Sequence, residues 1–139
     1  METARLELPG TPVAPSVARL FVRNLCHEWG AEALCDVAEL LSSELVTNAV
    51  VHARSAVELE AAYDESSILR IEVYDRSPDE VDRFPKQAAE ASEGGRGLAI
   101  VARLACHWGV DPCSPGKRVW FTLENEAGDP SVGDPAGRV

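Results

Sequence analysis

The sequence predicts an α+β fold: a two-layer sandwich in which a mostly antiparallel sheet is covered on one face by helices. Three observations predict it. Two alternating runs, "AVELEAAYD" (56–64) and "ILRIEVYD" (68–75), flank the short polar turn "ESS" and read as a β-hairpin. A second pair, "HWGVDP" and "KRVWFTLE", is joined around "CSPG". Apolar residues recur at helical spacing ahead of each pair. There is no internal repeat and no second core, so one domain over residues 1–124 is expected.

Taken in order, "ARLELP" (4–9) alternates apolar and polar and predicts a short strand at a sheet edge. "GTPVAP" breaks it. Ser16 then opens a first helix whose apolar positions are Val17, Leu20, Phe21, Leu25 and Cys26, ending near Trp29-Gly30. Ala31 to Ala53 carries a second, longer helical pattern, and the first hairpin follows. From Arg76 to Gly95 the periodicity dissolves into prolines, charges and small residues. An irregular connection of that length inside a compact domain suits a lid or binding loop. "GLAIVARLA" (97–105) predicts a third helix preceded by glycines, then the last two strands. The tail "NEAGDPSVGDPAGRV" (125–139) is rich in Gly, Pro and Asp, and is expected to be disordered.

Composition narrows the function. The 139 residues carry a formal net charge of -10, with 45% hydrophobic and 26% charged residues. So acidic a surface repels phosphate backbones and argues against direct nucleic-acid binding, while leaving a basic protein partner open. No apolar run approaches the ~20 residues that span a bilayer. "METARLELPG" lacks the features of a secretory signal, so a cytoplasmic protein is expected. The cysteines Cys26, Cys35, Cys106 and Cys113 form no Cys-x-x-Cys pair. Cys26-His27 and Cys106-His107 would make a metal site only if the fold brought them together. Buried, reduced thiols are the reading preferred here.

The second helix poses the sharpest question. On a wheel at about 100° per residue, Leu34, Val37, Leu40, Leu41, Leu45 and Val51 share one broad face. Glu44 and Asn48 fall near its centre and His52 within it, with Asp36, Glu39, Ser42 and Ser43 opposite. An unpaired carboxylate buried there costs several kcal/mol. Either the helix end projects into water, or it faces a cavity holding a polar ligand or hydrated metal. In the second case Glu44 suits a base and Asn48 a ligand to a hard cation such as Mg²⁺. The wheel supports both equally. Asp75, at the end of "ILRIEVYD", reads either as a ligand contact at a strand end or as a turn residue before Ser-Pro. Gly94, Gly95 and Gly97 read either as an anion-accepting approach to a helix N-terminus or as a hinge.

In order, "ELVTNAVVHA", "VYDRSP" and "GGRGLAIVARLA" resemble the N, G1 and G2 boxes of the GHKL ATPase superfamily. They look most like its small anti-sigma-factor serine/threonine kinases of actinobacterial type. The resemblance runs from about Arg5 to Glu124. It implies the Bergerat α/β sandwich, with a mixed, mostly antiparallel sheet and ATP held between the helical layer and a lid. By that resemblance Glu44 is the catalytic base, Asn48 the Mg²⁺ ligand and Asp75 the acceptor for the adenine amino group. Ser77, Gly95, Gly97 and Leu98 line the nucleotide site, and His52 supports Asn48. The chain departs from the pattern at Ser77, where glycine is usual, and at Arg118, where many relatives have Thr.

The cofactors implied are ATP and Mg²⁺. The implied function is an anti-sigma factor that also phosphorylates an anti-sigma-factor antagonist protein, so the partners are a sigma factor and that antagonist. A homodimer is compatible with it. The alternative is a regulatory module that holds ATP and sequesters a protein partner without phosphoryl transfer.

Overall fold

The computed structural model describes residues 1–53, 55–76, 93–113 and 116–125. Element order is β1 (Glu2–Leu8), α1 (Ala14–Glu28), a 3₁₀ turn (Glu32–Leu34), α2 (Cys35–Ala53), β2 (Val57–Tyr63), β3 (Ile68–Asp75), α3 (Glu93–Leu104), β4 (His107–Cys113) and β5 (Gly116–Glu124). The five strands form one sheet in the order β1-β2-β3-β5-β4, and all four pairings are antiparallel. The expected α+β sandwich is therefore what forms. No described helix is long and apolar enough to cross a membrane.

Alternation along the strands decides which face meets the helices. Val57, Leu59 and Ala61 of β2 are buried, as are Leu69, Ile71 and Val73 of β3 and Val119, Phe121 and Leu123 of β5. These rows join Leu41, Leu45, Val46 and Ala49 of α2, Ala18, Val22 and Leu25 of α1, and Leu98 and Val101 of α3 in one core. The opposite face is laced with charge: Arg5 pairs with Glu58 and Glu60, and Glu72 with Arg70 and Arg118. Arg70 also lies 4.2 Å over the Trp120 ring. A hollow of about 380 Å³ on the sheet is bordered by Thr3, Arg5, Glu60, Arg70 and Glu72, so residues already paired with one another form its rim.

Local chemistry sets the turns. α1 stops because Gly30 takes φ 73°, which costs glycine nothing, while the Ala31 N-H donates back to the Cys26 carbonyl at 2.7 Å. In the first hairpin Asp64 Oδ1 accepts from the backbone N-H of Ser66 and Ile68 at 2.9 and 3.0 Å, an Asx turn that sets the register of β3.

Three expectations shift. α1 starts at Ala14 rather than Ser16, because Pro15 fits the first turn of a helix. α3 starts at Glu93, so Gly94, Gly95 and Gly97 lie inside the helix rather than ahead of it. The wheel for α2 also changes. Leu40 and Val51 are exposed at 38% and 57%, while Glu39, Ser42 and Ser43 are buried. The reason is that α2 is the central helix, packed on α1, α3 and β3 together. A helix enclosed on several sides has no single apolar stripe. Two of its buried polar groups are bonded: Glu39 accepts from Arg23 Nε and Nη2 of α1 at 2.7 and 3.0 Å, and Ser43 Oγ donates to the Leu40 carbonyl at 3.1 Å.

Candidate functional site

α2, which carries Glu44, Asn48 and His52, packs on β3 and α3, the elements that carry the other described candidates. Glu44 and Asn48 lie one helical turn apart, on one flank of α2. Glu44 is half-buried, and its carboxylate makes no hydrogen bond or ion pair among the described residues. Asn48 is 3% exposed, and its Nδ2 has no hydrogen-bond partner among the described residues. An orphaned buried amide costs about 1–3 kcal/mol. Turning that carboxamide by 180° exchanges its nitrogen and oxygen, so the unpaired end can equally present an acceptor.

Ser42 Oγ is the other buried side-chain atom without a partner among the described residues. It lies about 120° around the helix from Asn48 at 100° per residue, so the two do not address one point. His52, one turn beyond Asn48, is half-buried.

Asp75 is the last residue of β3 and is 1% exposed. It continues the helix-facing row of Leu69, Ile71 and Val73. Across the sheet the register sets Leu69 against Leu123, Ile71 against Phe121, Val73 against Val119 and Asp75 against Lys117. An apolar ladder thus ends in a buried ion pair. Lys117 Nζ donates to both carboxylate oxygens of Asp75, at 3.1 and 2.9 Å. Gly116 makes the close approach possible: a Cβ there would stand 2.0 Å from the Asp75 carbonyl oxygen.

Sequence reasoning missed Lys117. The signal was present, because Lys117 shares the parity of Val119, Phe121 and Leu123 in "KRVWFTL" and so belongs to the inward face.

Gly95 lies in the first turn of α3, where backbone N-H groups lack intrahelical acceptors, and Gly97 follows in the next turn. The N-terminus of α3 can therefore receive an anion through its backbone. Leu98 is fully buried in the core beside them. Ser77 lies outside the described residues, as do most of the expected lid and all of the tail beyond Asn125.

The cysteine–histidine pairs do not assemble. Among the described residues the one group with metal-compatible spacing is Cys35, Asp36 and Glu39. Glu39 is already held there by Arg23 and accepts from Cys35 Sγ at 3.1 Å. Burial pushes the nearby Cys26 thiol up to about 12, far from a metal-binding thiolate.

A family model described as the histidine kinase-like ATPase domain matches residues 8–123. No curated protein matches the chain. Among solved structures, the RsbU and RsbW domains of Rv1364c from Mycobacterium tuberculosis superpose with a TM-score of 0.68 at 21% identity. That match covers 89% of this chain and 32% of that one. The SiaB-SiaC complex from Pseudomonas aeruginosa gives 0.57 at 12% identity, covering 86% and 88%. The histidine kinase domain of the blue-light activated histidine kinase from Erythrobacter litoralis EL346 gives 0.50 at 25% identity, covering 70% and 47%. The chain thus spans about a third of the first structure.

Proposed function

Because the chain belongs to the histidine kinase-like ATPase domain family, we propose that residues 1–124 bind ATP with Mg²⁺ and pass its γ-phosphoryl group to a serine or threonine of an anti-sigma-factor antagonist. In its other state the protein holds a sigma factor. The RsbW and SiaB-SiaC likenesses support this partner-switching role at the level of fold.

The observation that carries the reading is Asn48. A carboxamide kept buried, in the central helix and one turn from Glu44, with neither its Nδ2 nor that carboxylate partnered among the described residues, suits a ligand site better than core. The donor set fits Mg²⁺, which binds through very few protein oxygens and completes its shell with phosphate and water. When bound, the ion supplies neutralisation of the triphosphate charge.

The chain's own residues do the rest. Asn48 would hold the cation through its side-chain oxygen, and backbone N-H groups of the first turn of α3 would donate to phosphate oxygens. Asp75 accepts the amino group of adenine. Glu44 takes the proton of the attacking hydroxyl as its oxygen bonds to phosphorus and the bond to the ADP oxygen breaks.

The test is phosphoryl transfer from labelled ATP to a candidate antagonist, by the parent protein and by Glu44→Ala. Transfer by the parent and its loss in the variant support the kinase. Nucleotide binding without transfer to any antagonist replaces it with the sequestering module.

A further inference from the structure

We infer that Cys26 and Cys35 form an oxidisable dithiol, a site at which a peroxide closes a disulfide between α1 and α2. The pair lies on the α1 side of α2, outside the candidate nucleotide site.

The helical hairpin sets the two cysteines face to face. α1 and α2 pack along one another and are joined through residues 29–34, so they run in opposite directions. Arg23 of α1 holds Glu39 of α2 through Nε and Nη2, at 2.7 and 3.0 Å. Cys26 lies one turn after Arg23, and Cys35 one turn before Glu39, so both step from that ion pair towards the same reversal. Glu39 Oε2, which accepts from Arg23 Nε, also accepts from Cys35 Sγ at 3.1 Å. The Cys35 thiol in turn lies within hydrogen-bonding reach of the Cys26 thiol. Both are free thiols, Cys26 1% exposed in the core and Cys35 partly open to solvent.

That asymmetry of exposure assigns the order of events. Cys35 Sγ attacks a peroxide oxygen, the O–O bond breaks, and the thiol proton leaves with the departing hydroxide as water. Cys26 Sγ then attacks the sulfenic sulfur of Cys35, and the expelled hydroxide takes the Cys26 proton as a second water. The two thiols lose two electrons and one peroxide becomes two waters. Burial raises both thiols, so the first step is slow and the resting pair stays reduced. Contact makes the second step intramolecular, so the disulfide forms ahead of further oxidation at Cys35. Cys106 and Cys113 cannot pair with each other, because they sit at opposite ends of β4, roughly 20 Å apart. Closure cross-links α1 to the start of the helix that carries Glu44 and Asn48, and takes the Cys35 donor from Glu39.

The test treats full-length Cys106→Ser/Cys113→Ser protein with hydrogen peroxide, then alkylates the denatured chain and maps its peptides by mass. An internal Cys26–Cys35 disulfide is expected, with a Tm raised by roughly 5 °C that returns to its starting value on reduction. Adding Cys35→Ser should leave Cys26 reduced under the same treatment. Cys35 carried to sulfinic acid beside a reduced Cys26 overturns the inference, as does a disulfide joining two chains. Two thiols that both resist excess peroxide overturn it as well. Oxidation of Cys26 in the Cys35→Ser protein overturns the order of attack, and closure without a rise in Tm overturns the cross-link's hold on the helices.

Discussion

Asp75 and Lys117 face each other across β3 and β5 with their charges 2.9 Å apart and almost wholly shielded from water. The pair closes a ladder of buried apolar partners that begins at Leu69 and Leu123. A buried ion pair adds little over an apolar pair of the same volume, but breaking it leaves one charge stranded. Lys117→Met is therefore expected to destabilise the protein by about 3 kcal/mol, a drop of roughly 10 °C in Tm for a domain this size. The double variant Asp75→Asn/Lys117→Met removes both charges of the pair and should recover part of that loss. Thermal unfolding of the three proteins checks it. Equal losses in the single and double variants would show that the pair is not energetically coupled.

Gly116 gives a second, independent check on the same corner. An added Cβ would meet the Asp75 carbonyl oxygen at 2.0 Å and Arg76 Cα at 2.7 Å, both backbone atoms that have no easy way to yield. Gly116→Ala is expected to cost about 3 kcal/mol, combining that clash with a φ that side chains disfavour. Gly30→Ala has nothing within 4 Å of its Cβ and carries only the φ penalty, so its loss should be smaller, about 1 kcal/mol. Denaturant midpoints of the two variants rank them.

The α1–α2 contact gives a pH signature. Its hydrogen bonds from Arg23 hold the Glu39 carboxyl below its ordinary value of 4.5. A carboxyl lowered by folding contributes stability that is fully present above its unfolded pKa and is lost as pH falls through the folded value. Arg23 is more than half exposed, so solvent screens the pair and the effect is modest. Parent and Glu39→Gln should differ in Tm at about pH 6, and the gap should close as pH falls well below 4. A gap that persists unchanged in acid would assign the difference to packing.

The strands and their two hairpins were legible because period-2 alternation survives in "VELEAAY" and "ILRIEVYD", where one face is buried and the other charged. The central helix was less legible. Its environment comes from three directions at once, so Leu40 and Val51 could face out while Ser42 and Glu39 faced in, and a single wheel has no means of showing that. Glu44 and Asn48 stood out in the sequence because their polarity broke a helical pattern. Lys117 did not, because a lysine in a strand reads as surface until its cross-strand partner is known.

Asn48 and Glu44 separate binding from chemistry. Asn48 is buried with its Nδ2 unpaired among the described residues, a group that a nucleotide-free protein would be better without. Asn48→Ala removes the orphaned amide while opening a small void, so the free protein should stay within about 1 kcal/mol of the parent. What should vanish is the stabilisation conferred by MgATP, which for the parent is about 2.7 kcal/mol at a hundredfold excess over Kd. Glu44 is half-buried and makes no bond among the described residues, so Glu44→Ala should keep both its stability and its MgATP shift. Its transfer rate should instead fall ~10²- to 10⁴-fold, the usual cost of losing a general base. Thermal shift with and without MgATP, beside a transfer assay, reads all four quantities. If Asn48→Ala keeps the full MgATP shift, Asn48 is not the metal ligand. Transfer by Glu44→Ala at the parent rate would remove Glu44 from the mechanism.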